Sequence, residues 1–424
     1  MKRKGYILEQ IADPDNLRQA FWNAQTGKSA KKDVNAFREH LDVNLAQIRN
    51  QLLDGSYRFG NYHYFIVYDP KERVICAADF GERVVHHAIM NICAVDFENR
   101  QIPYSYACRK GKGSLAAIKQ AAHYQKVYPW YLKLDVRKFF DSIDHEILFS
   151  QMQRIYKDAP FLDLLWRLID SYHASDGKGL PIGNLASQYF ANHYLSFADK
   201  YLTEQLRQPA IVRYMDDFFL WANDRDELIE KGQRFENFVR ENLSLTLKPF
   251  VLNKSEHGLP ALGFQLFPDE IRLNTRSRKR FALKMKKYDI MLKNDEISEA
   301  LCAQSVLSMY GFIACAKHKG FARTILKGFD AEGSNRVNRG GSWNNDATTG
   351  NRNNNLGFRL ASSSKRPTDF EQASLSFPVI RVKTTQPSCP VSSAQSNNVQ
   401  DFFHLSPDYA RNVIACDFNQ LKIK

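Results

Sequence analysis

Two apolar segments of this chain carry aspartates where a strand should be buried, and that conflict limits the possible folds more than any other feature. Trp130-Tyr131-Leu132-Lys133-Leu134-Asp135-Val136 is a short, nearly continuous apolar run, the pattern of a strand covered on both faces. Ile211 to Ala222 reads as two short strands about a tight turn, with Asp216-Asp217 at its tip. Aspartate is rarely buried without a partner, and two adjacent carboxylates repel unless a cation neutralises them. Asp-Asp alone is a common turn composition. Taken with Asp135, it points to a metal site. Magnesium accepts a few carboxylate oxygens and completes its shell with water and substrate phosphates. Two such ions ~3.5–4 Å apart activate an attacking hydroxyl and steady a leaving pyrophosphate.

Composition narrows the class of partner. The chain has 424 residues, long enough for two or three domains, and its 44% hydrophobic and 12% aromatic content suits a globular enzyme. The net charge of +13 points to a polyanionic partner. No stretch approaches the roughly 18 apolar residues of a membrane span, and Met1-Lys2-Arg3-Lys4-Gly5-Tyr6 has no apolar core behind it. Seven scattered cysteines show neither zinc spacing nor a disulfide framework, so the expected location is a reducing cytoplasm.

Along the chain, residues from about 15 to 55 show helical spacing (Phe21, Phe37, Leu41, Leu45, Ile48, Leu52) until Asp54-Gly55-Ser56 breaks it. Tyr62–Tyr68 and Arg73–Ala78 read as a hairpin about a turn at Asp69-Pro70-Lys71-Glu72. Helices are expected over Glu82 to Phe97, Leu115 to about Val127, about 145–172, and from near Leu185. Arg276 to Lys293 is a basic amphipathic helix by period. Beyond about Phe329, Ser, Asn, Gln and Thr dominate and apolar periodicity ends, which sets a boundary there.

Tyr214-Met215-Asp216-Asp217 resembles the signature of reverse transcriptases, and Leu134-Asp135-Val136-Arg137-Lys138-Phe139-Phe140-Asp141 resembles their other metal-binding motif in its group II intron form. The resemblance covers roughly residues 20–325. It implies an α+β right-hand polymerase with fingers and an antiparallel palm sheet over 1–270, a helical thumb over 271–328 and a poorly structured tail over 329–424. It also implies that Asp135 and Asp216 hold two Mg2+ ions, that Asp217 completes the acidic cluster, and that the Phe140 ring blocks a sugar 2′-hydroxyl. Asp141 and Asp144 fit helix starts better than ligands.

Gly179-Leu180-Pro181-Ile182-Gly183-Asn184-Leu185-Ala186-Ser187-Gln188 lies where most of that family has Pro-Gln-Gly followed by Ser-Pro. With Ile182 for Gln and Gln188 for Pro, it resembles the reverse transcriptases of diversity-generating retroelements, which err frequently opposite template adenines. That resemblance adds the expectation of a bacterial or phage-encoded protein. Ile182 can only pack where Gln would hydrogen-bond, and Gly183 would let the backbone approach template and nucleotide closely. By the same resemblance, Arg73 would contact the triphosphate, while Arg83 is an equal candidate for a structural ion pair. Lys110, Lys112 and Gly113 fit an RNA backbone contact or a solvated loop. Lys248 and Lys254 both fit the lysine kept near the pyrophosphate, and Leu262-Gly263-Phe264-Gln265-Leu266-Phe267 resembles the primer-grip hairpin. Arg276, Arg278, Lys279, Arg280, Lys284, Lys286 and Lys287 suit a thumb helix tracking a phosphate backbone, with a solvated charged face as the alternative.

The tail adds a different signal. Eight asparagines fall within residues 335–355, a stretch that contains Gly340-Gly341-Ser342-Trp343 and is followed by Gly357-Phe358-Arg359-Leu360-Ala361. Those two motifs resemble the variable region of the lectin-like proteins that such retroelements diversify. Asn codons begin with two adenines, so this stretch reads as translated template repeat, with a small ligand-binding module or a disordered tail as alternatives. Expected partners are template RNA and its cDNA, deoxynucleoside triphosphates and a basic accessory variability protein, with no membrane. The competing functions are an ordinary group-II-like or defence-associated reverse transcriptase, and a polymerase-derived RNA-binding scaffold.

Overall fold

The structure, a computed structural model, describes residues 3–68 and 72–316, all within one compact unit. Four helices open the chain: α1 (Ile7–Ile11), α2 (Pro14–Gln25), α3 (Lys32–Glu39) and α4 (Leu41–Leu53). α2 starts where Asp13 accepts the amides of Asp15 and Asn16, with Pro14 at the first helical position. The hairpin of β1 (Tyr62–Tyr68) and β2 (Glu72–Ala78) follows, in register from Tyr62↔Ala78 to Tyr68↔Glu72. The expected turn at 69–71 lies outside the described residues, and Glu72 already belongs to β2. α5 (Phe80–Glu98) is capped by Asp79, whose side chain accepts the Glu82 amide.

Next come α6 (Ser114–Val127), β3 (Trp130–Asp135), α7 (Phe139–Ser142), α8 (His145–Gln153), α9 (Ala159–Ile169) and α10 (Leu185–Lys200). β4 (Ala210–Tyr214) and β5 (Asp217–Ala222) form the expected tight hairpin, followed by α11 (Arg225–Leu243) and β6 (Val251–Lys254). Three short strands, β7 (Leu259–Ala261), β8 (Phe264–Leu266) and β9 (Ile271–Leu273), lead into α12 (Thr275–Lys293) and α13 (Glu299–Ile313).

β4, β5, β3 and β6 pair in that order into an antiparallel sheet. Alternation along the strands buries both faces. Leu132, Leu134, Ile211, Phe218 and Leu220 join the larger core, shared with α2, α5 and α8–α11. Tyr131, Val212, Phe219 and Trp221 join a smaller core beneath α6 and the β7–β8 hairpin. A sheet covered on both sides explains why its strands are apolar almost throughout. The polar tips buried with it are satisfied: Tyr131 Oη donates to Gly258 O at 3.1 Å, and Trp221 Nε1 to Gln125 Oε1 at 2.8 Å. The α+β class and the antiparallel palm sheet are as expected, whereas the predicted boundary near Phe329 and the tail lie outside the described residues.

Candidate active site

β3 and β5 run antiparallel with Asp135 directly opposite Asp217, so the two carboxylates share one end of the sheet. Asp216 is supplied by the β4–β5 turn, where Met215 adopts a left-handed backbone at φ 55°. The Val136 amide donates to Asp216 O at 3.3 Å and ties this turn to the end of β3. Strand register thus sets Asp135 opposite Asp217, and the turn places Asp216 next to them.

Burial is the largest cause pushing the Asp216 carboxyl up to about 6; the neighbouring charges of Asp217 and Asp135 add to it, and Lys248 offsets part. Burial also raises Asp217, against the pull of Lys133. Two ammonium groups face the cluster. Lys248 Nζ lies 2.7 Å from both Asp135 oxygens, and Lys133 Nζ is 3.7 Å from Asp217 Oδ1. The cluster therefore holds concentrated negative charge in partly buried surroundings, and its hard oxygen donors fit divalent cations of the magnesium type.

Beneath the turn lies a fully buried ion pair that the motifs did not disclose. Arg213 forks onto Asp199 through Nε at 2.7 Å and Nη2 at 2.7 Å, both residues being wholly inaccessible. Its Nη1 donates to Asn192 Oδ1 at 3.0 Å and to Met215 O at 3.1 Å, and Nη2 to Gln101 Oε1 at 2.9 Å. The guanidinium thus holds the carbonyl immediately preceding Asp216. A lone aspartate on the apolar face of α10 was the only sequence signal for it.

The two candidate lysines separate clearly. Lys248 reaches the cluster because its amide donates to Asp135 O at 2.8 Å, extending the strand pairing of Val136 with Leu247. Lys254 pairs in register with Trp130, at the far end of β3, and its Nζ contacts Glu256 at 3.4 Å. Lys254 therefore lies at the end of β3 away from the aspartates, and Lys248 at the end beside them.

Phe140 sits half-buried in α7, edge-on to the buried Phe139, with its carbonyl accepting the Leu180 amide at 2.8 Å. That bond joins α7 to the Gly179–Gln188 segment. Ile182 O accepts the Cys76 amide at 2.9 Å, and Asn184 Oδ1 accepts the Ala78 amide at 3.1 Å, so the segment is fastened to β2. Gly183, at φ +117°, has no room for a side chain: a Cβ would meet Ile75 Cγ2 at 2.7 Å. Gly183 thus packs closely against β2 of the hairpin. Gln188 Oε1 accepts from the Cys108 thiol at 3.3 Å, and Arg73 stands exposed on β2.

Other basic candidates are engaged within the fold. Arg83 pairs with Asp33 at 2.8 Å, the structural alternative of the two. Lys112 Nζ donates to Pro103 O and lies 4.8 Å over the Tyr106 ring. The β7–β8 turn packs against the last helices, since the Asn274 amide donates to Gly263 O at 3.1 Å. α12 buries Phe281 and Met285 and exposes Arg276, Lys279, Lys286 and Lys287.

Residues 69–266 match the profile of the reverse transcriptase (RNA-dependent DNA polymerase) family. The COX1/OXI3 intron 2 protein of Saccharomyces cerevisiae is 30% identical over 129 residues, covering 28% of this chain and 15% of that protein. Protein YkfC of Escherichia coli is 25% identical over 257 residues, covering 56% of this chain and 65% of its own length. Nuclear intron maturase 1 of Arabidopsis thaliana is 29% identical over 86 residues, 20% of this chain and 12% of the maturase. Among solved structures, telomerase from Candida albicans aligns with a TM-score of 0.41 at 12% identity, over 64% of this chain and 57% of that one. The chain thus spans between about an eighth and two thirds of the length of these curated relatives.

Proposed function

We propose, for a chain whose residues 69–266 match the reverse transcriptase family, that it copies RNA into DNA with errors concentrated opposite template adenines, as part of a diversity-generating retroelement. The observation that carries the polymerase reading is the convergence of Asp135, Asp216 and Asp217 at one end of the palm sheet. Asp135 and Asp216 would hold two Mg2+ ions, with Asp217 completing the cluster. The chemistry such ions would supply there is a lowered pKa for the primer 3′-hydroxyl and neutralised charge on the leaving pyrophosphate. Lys248, already drawn to the cluster by Asp135, places a mobile ammonium beside the triphosphate. Arg73 grips that triphosphate from β2 through charge-assisted bonds. The Phe140 ring excludes a ribose 2′-hydroxyl by shape. Arg213 and Asp199 keep the Asp216 turn rigid, so the carboxylates need no reorganisation when charge develops.

The adenine-biased reading rests on Ile182 and Gln188. An isoleucine side chain where a glutamine would hydrogen-bond removes a directional check on the nascent pair, leaving packing alone to judge it. On this reading the 335–355 peptide is translated template repeat, and a basic accessory protein escorts the complex.

Primer extension on a supplied RNA template tests both levels. Asp216→Asn and Asp135→Asn should each reduce extension by at least about a thousandfold, as loss of an essential electrostatic group does, while RNA binding persists. Near-normal extension by either variant would remove the cluster from the mechanism. Ile182→Gln should lower misincorporation opposite adenine more than opposite the other three bases. A flat error spectrum in the parent enzyme would favour an ordinary group-II-like or defence-associated enzyme, and no extension at all would favour the RNA-binding scaffold.

A further inference from the structure

A second cluster of donors lies outside the acidic site and shares no residue with it. His145 opens α8, and Asp170 and His173 follow the end of α9. One donor atom from each lies within 4.8 Å of the other two. His145 is 1% exposed, and its Nε2 bonds Gly179 O at 2.8 Å. A carbonyl oxygen only accepts, so Nε2 carries the proton and Nδ1 offers its lone pair. Among the described residues that buried Nδ1 has no hydrogen-bond partner, and it faces Asp170 Oδ1 at 3.5 Å. A lone pair aimed at a carboxylate oxygen is repulsive, and 3.5 Å is beyond the roughly 3.2 Å reach of a good N–H···O bond. His173 Nε2 lies 3.3 Å from the same oxygen.

We propose that His145 Nδ1, Asp170 Oδ1 and His173 Nε2 form a metal site for a first-row transition ion, Zn2+ foremost. Bonds of about 2.0–2.2 Å to a tetrahedral ion put neighbouring ligand atoms about 3.3–3.5 Å apart, which is the spacing of the two measured edges. Two imidazoles and one carboxylate suit zinc far better than magnesium, whose preference is for oxygen alone. The Gly179 carbonyl behind His145 supplies the outer hydrogen bond that fixes a metal-binding imidazole. Asp170 and His173 have side chains 44% and 42% exposed, which opens a path for the ion and leaves water as the fourth ligand.

The site's consequence is mechanical. The ion bolts the loop after α9 to the start of α8, where the His145 amide already donates to Gly177 O and the Gly179 amide to Ile143 O. That loop runs directly into Leu180–Gly183, which fastens β2. The inference does not depend on the polymerase reading, since it stands on these three side chains alone.

The test is equilibrium dialysis of the full chain against Zn2+ in excess Mg2+, with bound zinc counted by mass spectrometry. One ion per chain is expected for the parent protein. His173→Ala and Asp170→Asn alter exposed side chains, so their far-ultraviolet circular dichroism should match the parent while zinc affinity falls at least tenfold. His257→Ala, a change at a histidine outside the cluster, should retain the ion. Co2+ in place of zinc should give visible absorption bands that His173→Ala abolishes. No stoichiometric zinc on the parent chain, or retention unchanged in both cluster variants, would overturn the site.

Discussion

Glu82 shows how a single buried acid is set by its surroundings. Its Oε2 accepts the amides of Gly60 at 3.0 Å and Asn61 at 3.3 Å, while Oε1 faces His86 Nε2 at 3.6 Å. At 2% exposure, burial pushes its carboxyl from 4.5 up to about 7, opposed by those two amides. The folded chain therefore keeps this proton to about pH 7, whereas the unfolded chain releases it near 4.5. Between those values the folded state binds more protons, so stability declines as pH rises through the window and levels off above it. That limb amounts to at most about 3 kcal/mol. Glu82→Gln keeps an acceptor for both amides and carries no charge, so its unfolding free energy should change less between pH 5 and pH 7.5 than the parent's. Denaturant titrations at four pH values read the difference, and identical slopes would mean that Glu82 is ionised in the fold. Arg213 poses the opposite case at the same scale: a buried charge fully paired, whose partner's removal would strand it at a cost of about 3–5 kcal/mol.

Among the elements, the junction of β2 with the 179–184 segment couples hairpin to palm. It consists of the Cys76–Ile182 and Ala78–Asn184 bonds and the absence of a side chain at Gly183. Gly183→Ala adds a methyl 2.7 Å from Ile75 Cγ2 at a backbone angle that disfavours any Cβ. The expected cost is about 1–3 kcal/mol, concentrated at the junction. Hydrogen exchange should quicken at the Cys76 amide and along β2, with the α11 amides unchanged. Ile75→Ala removes the opposing methyl, so the double variant should recover part of the loss. Uniform destabilisation without faster exchange in β2 would count against this junction as the point of attachment.

At the scale of the whole molecule, the palm sheet, the β7–β9 sheet and the α12–α13 pair are complete by residue 316. The acidic cluster draws every candidate ligand from within that span, and α12 displays exposed Arg276, Lys279, Lys286 and Lys287 on the side away from Phe281 and Met285. Chain termination after Lys327 should therefore leave extension on a supplied template within about threefold of the full chain, well under the tenfold that 1.4 kcal/mol represents. On the proposal that residues 335–355 are translated template repeat, recoding them with synonymous codons should instead alter diversification in cells, because the copied RNA would change while the peptide does not. A truncated chain that folds yet cannot extend a primer would make the tail a working part of the enzyme.

Much of this architecture was legible in one dimension. The apolar run ending at Asp135 and the Asp-Asp turn made three strands, their burial and the presence of a charged site legible, because burial leaves a period in the sequence. The long helices α2, α5, α10 and α12 were visible for the same reason. α1, β6, β7 and β9 were not, since three to five residues are too few to display a period. Partnerships were the larger gap. Lys248 and Asp135 are 113 residues apart, and nothing local distinguishes Lys248 from Lys254 until strand register puts one beside the aspartates and the other beside Trp130. The packing of Gly183 against Ile75 became visible only in the tertiary fold. Arg213 with Asp199, and His145 with Asp170 and His173, were likewise invisible. Sequence records how deeply each residue is buried along its own element, whereas the meeting of two side chains depends on how those elements pack.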